Sequence, residues 1–262
     1  MIKSLFTAAT GMGAMQENIN VISNNLANVS TNGFKRSRAE FQDLLYQTLR
    51  MPGTETPQGS QIPTGIQIGM GAKLSAVAKN FQQGDFQQTN NELDLAIQGK
   101  GFFQILQPDG TTAYSRTGTF KLDNTGQMVT ADGEPLEPPV TIPADAISIS
   151  ISNTGAISVM QPGTVTPNVV GQIELANFIN PAGLISVGRG LYKESDASGT
   201  PAVSNPGTNE LGLVQQGSIE TSNVNVVEEL TNMILAQRAY EMNSKAITTS
   251  DEMMQTANNT KR

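Results

Sequence analysis

Glu92 and Asp94 stand two positions apart, a spacing that would place both carboxylates on one face of an extended strand. Two facing carboxylates are what glycoside hydrolysis needs, but a solvated strand face produces the same pattern and no convincing acid pair stands out elsewhere. Gly-Met-Gly at 11–13, Gly-Met-Gly at 69–71 and Gly-Lys-Gly at 99–101 are fragments of phosphate-cradling loops. None extends to a dinucleotide or Walker pattern, and Phe102 follows the last where a Ser or Thr would be needed, so they read as turn glycines. Asp123 and Asn124 offer oxygen ligands in a glycine-containing turn, without the spacing of a calcium-binding EF-hand loop. Ser115-Arg116-Thr117-Gly118 is polar, with no base beside the hydroxyl. The chain has no His, no Cys and no Trp, which excludes Ser-His-Asp and Cys-His nucleophiles, His or Cys zinc sites and disulfides. The expectation is a protein that is not an enzyme, with no catalytic residue, no cofactor and no metal.

Composition narrows the class further. The 262 residues suffice for a buried core, yet only 37% are apolar and 15% charged, with Asn, Gln, Ser, Thr and Gly taking the difference. A net charge of −7 argues against nucleic acid as a partner. No window approaches the apolar length of a bilayer span, so direct membrane insertion is not expected. The opening Met-Ile-Lys-Ser-Leu-Phe imitates a secretory leader briefly, but the apolar run stops at Thr7 and Thr10, so no cleaved signal peptide is expected. Residues 1–50 carry a net +2 and residues 218–262 a net −2, so the two ends attract weakly.

Both ends read as amphipathic helices. Leu5, Ala8, Met12, Met15, Ile19, Ile22, Leu26 and Val29 alternate steps of three and four, the seam of a heptad repeat. At the other end Val226, Met233, Tyr240, Ile247 and Met254 fall seven apart, extended by Leu230 and Ala236, while Gln237, Asn243, Ser244 and Ser250 leave the flank small and polar. Asn223 or Asn225 could cap this second helix, with Glu228 and Glu229 placed for its dipole. Neither stripe buries enough apolar surface to offset the ordering of its own backbone. A partner must complete it, either the other end of the same chain in an antiparallel hairpin or copies from other chains.

Between the ends lies a different composition. Residues 51–71 hold Pro52, Pro57 and Pro63 with five glycines, including Gly65, and regular structure is not expected there. Such a stretch is a linker or an arm that orders on a neighbouring subunit. From residue 93 short strand-like runs alternate with turn signals such as Pro108-Asp109-Gly110 and Ala131-Asp132-Gly133, the mark of antiparallel hairpins. The fold class is α+β. The expected domains are paired terminal coiled-coil helices (1–34 and 222–262), a connector (35–92 and 211–221) with the arm at about 46–71, and a β-rich centre (93–210).

Asn24-Asn25-Leu26-Ala27-Asn28-Val29-Ser30-Thr31-Asn32-Gly33-Phe34-Lys35-Arg36 resembles the N-terminal signature of bacterial flagellar rod and hook proteins. Glu220-Thr221-Ser222-Asn223-Val224-Asn225, then Gln237-Arg238-Ala239-Tyr240-Glu241, resembles that family's C-terminal signature. Gly99-Lys100-Gly101-Phe102-Phe103 and Tyr114 to Phe120 agree in the centre, so the likeness covers essentially the whole chain. Phe41 to Thr48 followed by the Pro/Gly-rich stretch is similar to the distal-rod branch, with a proximal rod or hook subunit as the alternative and a peptidoglycan hydrolase as a remote one. The resemblance implies a structural homo-oligomer, a straight helical tube crossing the periplasm and enclosing an export channel. It implies export by the flagellar type III apparatus. It also implies proximal-rod, hook or hook-junction subunits and the peptidoglycan and outer-membrane ring bushings as partners. Asn24, Asn25 and Asn28 suit backbone capping where the first helix ends, and Gly33 a positive-φ turn.

Overall fold

The computed structural model describes residues 2–53, 63–163 and 166–260. Two helices bound the chain, α1 (Ile2–Ala27) and α2 (Val226–Thr260), and the region between them is mostly β. The chain divides into two compact units and passes between them four times in sequence, at 27/28, 36/37, 79/80 and 224/225.

The first unit joins α1, residues 37–79 and α2. The helices run antiparallel, with Gly11 facing Asn243 and Asn25 facing Glu229. A Cβ on Gly11 would stand 3.0 Å from the Asn243 amide nitrogen, so the first Gly-Met-Gly is not a turn but a place where two helices approach closely. Glu229, Ala236, Asn243 and Ser250, spaced by seven, form the inner edge of α2, and three of them are fully buried. α1 also packs against a hairpin of Ser37–Asp43 and Ala72–Lys79. Gly71 (φ +113°) closes against Thr10 there, where a Cβ would collide with the threonine hydroxyl.

A second hairpin pairs Tyr46–Arg50 with Ile66–Gly69. Regular structure was not expected at residues 66–69. Ile66-Gln67-Ile68 alternates as a strand does, a signal masked by the surrounding glycines. Every residue of Tyr46–Arg50 is exposed, as are Leu45, Met51, Ile66 and Ile68. Two strands without a covered face are marginal in water. Pro52 and Pro63 are exposed beside this hairpin and Gly65 is half-buried, while Pro57 lies outside the described residues.

The second unit, residues 28–36 and 80–224, is the β body. Its largest sheet has seven antiparallel strands, with Phe102–Leu106 at the centre between Thr112–Ser115 and Leu175–Asn177, and Leu136–Glu137 also pairing with it. Leu95, Ile97, Phe103, Ile105, Phe120 and Met128 make up the middle of its core. Phe102, Tyr114, Phe178 and Tyr192 form a second cluster, with rings edge-on at centroid distances of 4.8–6.1 Å.

Overpacking the close helix contact is costly. Ala236→Leu is expected to lower stability by about 1–3 kcal/mol in urea unfolding, whereas Leu235→Ala on the exposed face changes it by less than about 0.5 kcal/mol.

Candidate functional site

The two terminal signatures meet in a buried polar hub inside the β body. Beyond α1 the chain turns on Asn28, whose carbonyl accepts from Thr31 N (3.1 Å), and Gly33 takes φ +68°. Gly33 N donates to the Glu220 carbonyl at 2.8 Å, and a Cβ on Gly33 would lie 2.8 Å from Thr117 N. That left-handed turn drives the side chain of Lys35 inward, where it is fully buried.

Lys35 Nζ donates to Glu220 Oε1 (2.7 Å) and to the Gln82 carbonyl (2.8 Å). Glu220 Oε1 also accepts from Gly84 N at 2.9 Å. Arg116, 4% exposed, brings Nε to 3.5 Å from Glu220 Oε2 and donates from Nη2 to the Gly99 carbonyl (2.7 Å), lying over the Phe102 ring. Asn223 completes the hub as a double clasp. Its Oδ1 accepts from Arg36 N (2.8 Å), and its Nδ2 donates to the carbonyls of Asn80 and Gln82 (both 2.9 Å). Asn80 N donates in turn to the Arg36 carbonyl. The segments 28–36, 80–84 and 220–224, each adjoining a crossing between units, are thereby fastened to one another.

Burial holds the Lys35 ammonium below the ordinary lysine range, with Glu220 opposing and Arg116 reinforcing that shift. Burial likewise lowers Arg116 and pushes the Tyr192 phenol up to about 12. These are the energetics of charges held away from water by pairing.

A second polar contact lies in the helical unit. Asn25, 1% exposed, does not cap α1. Its Nδ2 donates to the Ser37 carbonyl (2.8 Å) and to Glu229 Oε2 (3.1 Å), and its Oδ1 accepts from Ser37 N (2.9 Å). A side chain that meets both backbone groups of one strand residue fixes where residue 37 leaves the helix. Of the two candidate caps for α2, Asn225 serves, accepting from Val227 N (3.0 Å) and Glu228 N (3.3 Å).

Other motif residues lie elsewhere. Leu26 and Asn28 are half-buried, Asn24 and Ala27 exposed, and the Asn32 carbonyl accepts from Thr117 Oγ1 (3.0 Å). Phe34 and Ser222 are half-buried and Val224 is buried. Gln237, Arg238, Tyr240 and Glu241 face outward on α2, where Arg238 pairs with Glu241 at 2.9 Å, and Ala239 is half-buried. Along the seams Ile22 is buried, and Leu5, Met12, Met15, Ile19, Met233, Ile247 and Met254 are half-buried, while Val226, Leu230 and Tyr240 remain exposed.

The chemical candidates resolve into structure. Glu92 and Asp94 do not share a strand face: Glu92 accepts from Ile149 N (3.2 Å), and Asp94 accepts from Asn91 Nδ2 (3.1 Å). Asp123 Oδ1 accepts from Thr125 N (2.7 Å) and Gln127 N (3.0 Å), folding its own turn. Among the described residues no group of three or more acidic side chains converges to hold a metal.

Residues 5–35 match the flagella basal body rod protein family, residues 96–159 the flagellar hook protein FlgE/F/G D1 domain, and residues 215–260 the flagellar basal body rod FlgEFG protein C-terminal family. The flagellar basal-body rod protein FlgG of Buchnera aphidicola subsp. Schizaphis graminum is 52% identical over 97% of this chain and 98% of its own length. FlgG of Borreliella burgdorferi is 48% identical and FlgG of Bacillus subtilis 41% identical, each over 100% of both chains. The chain belongs to the flagellar basal-body rod protein family. The first and last of those matches contain Lys35 and Glu220, so the two ends of the family signature are joined by the shortest ion pair of the hub.

Arg116 and Glu229 were not singled out as site residues from sequence. Arg116 is a lone charge in a polar run and Glu229 one of two adjacent glutamates at a helix start, and only tertiary structure shows that each is buried.

The Tyr192 phenol gives a pH test. Its folded pKa lies above that of an exposed tyrosine, so the unfolded chain loses the proton first, and stability falls as pH rises through 10 towards 12. Urea unfolding across that range is expected to show a decline of about 2–3 kcal/mol from this group, absent in Tyr192→Phe.

Proposed function

We propose that the chain is a structural subunit of the distal flagellar rod, assembling with copies of itself through α1 and α2 into a straight tube. That tube would carry torque across the periplasm and enclose the export channel, with the β body as its outer wall and the stretch at 46–71 lying along neighbours. Proximal-rod and hook or hook-junction subunits at its ends, and the ring bushings around it, would be its partners. Delivery by the flagellar type III apparatus belongs to the same reading.

The observation that carries this reading is the first part of α2. Val226, Val227, Leu230 and Ile234 are all exposed, Val227 at 73% and Ile234 at 57%. Spaced at three, four and seven, they form a contiguous apolar face beside the edge that α1 covers. The antiparallel pairing of α1 with α2 therefore consumes the small and polar side of the helix and leaves its larger aliphatic side open. Further copies bundled against that face would cover it, as a coiled-coil layer requires. The identity to FlgG relatives over the full length favours a rod position over a hook position.

The test is negative-stain microscopy of the protein concentrated stepwise, beside the double variant Val227→Asp/Ile234→Asp. Straight tubes from the native chain, and soluble folded monomers from the variant with unchanged unfolding, are expected. Tubes from the variant would overturn assembly through α2. Deleting 51–68 is expected to turn straight tubes into curved ones.

A further inference from the structure

Asn32-Gly33 is the only Asn-Gly step in the chain. It is the dipeptide best disposed to lose its side-chain amide unaided, because glycine has no Cβ to obstruct the ring that must close. The Gly33 nitrogen attacks Asn32 Cγ, a C–N bond forms, and the side-chain nitrogen leaves as ammonia with the proton that Gly33 gives up. Water then opens the resulting succinimide at either carbonyl, leaving aspartate or isoaspartate at position 32. The reaction requires a Gly33 N–H free to be deprotonated and a backbone free to rotate at residues 32 and 33. The folded β body denies both. The Thr31 carbonyl accepts from Phe34 N (3.2 Å), so Asn32 and Gly33 are the central residues of a tight turn, with Gly33 at φ +68°. Gly33 is buried and its N–H is donated to the Glu220 carbonyl at 2.8 Å, while the Asn32 carbonyl accepts from Thr117 Oγ1 at 3.0 Å. Asn32 itself keeps part of its surface in solvent.

We propose that Asn32 is a self-modification site gated by the hub: silent while Glu220 holds Gly33, and converted to isoaspartate or aspartate in chains whose hub stays open. Glu220 carries both parts of the gate, since its carbonyl accepts from Gly33 N and its carboxylate from Lys35 Nζ. Whatever keeps Lys35 and Asn223 in place therefore also keeps the Gly33 nitrogen from reacting. Conversion to isoaspartate is one-way. It routes the main chain through the former side chain and inserts an extra carbon ahead of Gly33. The turn has no room for that carbon: even a Cβ on Gly33 would lie 2.8 Å from Thr117 N and 2.9 Å from the Arg116 carbonyl carbon. A chain that has remained unfolded is thereby marked, and the mark bars it from closing the hub.

Peptide mapping by mass spectrometry of the full-length chain at mildly alkaline pH, folded or in denaturing guanidinium chloride, tests the proposal. Conversion at Asn32 is expected to be at least about a hundredfold slower in the folded chain. Asn223→Ala, which removes the clasp on Arg36, Asn80 and Gln82, should speed conversion of the folded protein by about tenfold or more, in step with exchange of the Gly33 amide hydrogen. Thr117→Val, a milder change that removes the bond to the Asn32 carbonyl, should act in the same direction and serves where Asn223→Ala does not fold. Asn32→Asp, which changes the charge without lengthening the backbone, is expected to fold. Chains carrying isoaspartate are expected to stay protease-sensitive after the denaturant is removed. Equal rates in the folded and unfolded chain, or a rate that ignores both variants while Gly33 exchange quickens, overturns the gate. Isoaspartate-bearing chains that refold fully overturn the one-way mark.

Discussion

A lysine with no exposed surface, 2.7 Å from a glutamate with almost none, is the contact on which the rest of the chain depends. Lys35 and Glu220 lie 185 residues apart, and each belongs to a segment that adjoins a crossing between the two units. With Asn223 clasping Arg36, Asn80 and Gln82, the hub joins three pieces of chain that have no sequence proximity. Buried ion pairs contribute little net stability compared with apolar replacements, but breaking one by removing a single partner is severe. Such a pair specifies an arrangement more than it strengthens one. For the assembly proposed above, that specificity is the more valuable property.

The helical unit follows a related logic. α2 presents alternative edges: Glu229, Ala236, Asn243 and Ser250 are small or polar and face α1, while Val226, Val227, Leu230 and Ile234 stay in solvent. Small residues allow two backbones to approach, and Asn25 Nδ2 donates a hydrogen bond to Glu229 Oε2 across the contact. The larger aliphatic side chains Val226, Val227, Leu230 and Ile234 remain exposed. The exposed hairpin of Tyr46–Arg50 and Ile66–Gly69 is left in the same condition. Both features leave apolar surface in water, and the proposed packing against further copies would cover them.

Much of this was legible in the sequence and some was not. Heptad spacing located both helices, glycine-bearing turns located the β body, and the Asn-Gly-Phe-Lys and Ser-Asn-Val runs pointed to the family. Periodicity failed at the level of faces. Seven-residue spacing fits both Val226–Met233–Tyr240 and Glu229–Ala236–Asn243, and the apolar series attracts attention although the small series makes the close contact. Pattern reading also assigned Asn25 a local capping role, because a side-chain amide near a helix end has an obvious neighbour, whereas its partners are Ser37 and Glu229. The hub was invisible for a similar reason: nothing in a one-dimensional pattern marks Lys35, Arg116 and Glu220 as a buried set, since charged side chains are ordinarily solvated.

A double-mutant cycle on Lys35→Met and Glu220→Gln, read by urea unfolding of the full chain, tests the role of the hub most directly. Each single substitution should cost about 3–5 kcal/mol, and the pair together little more than either alone, because both remove one shared interaction. Single costs below about 0.5 kcal/mol that simply add would contradict it, and would mean that the two terminal signatures are joined by something other than this ion pair.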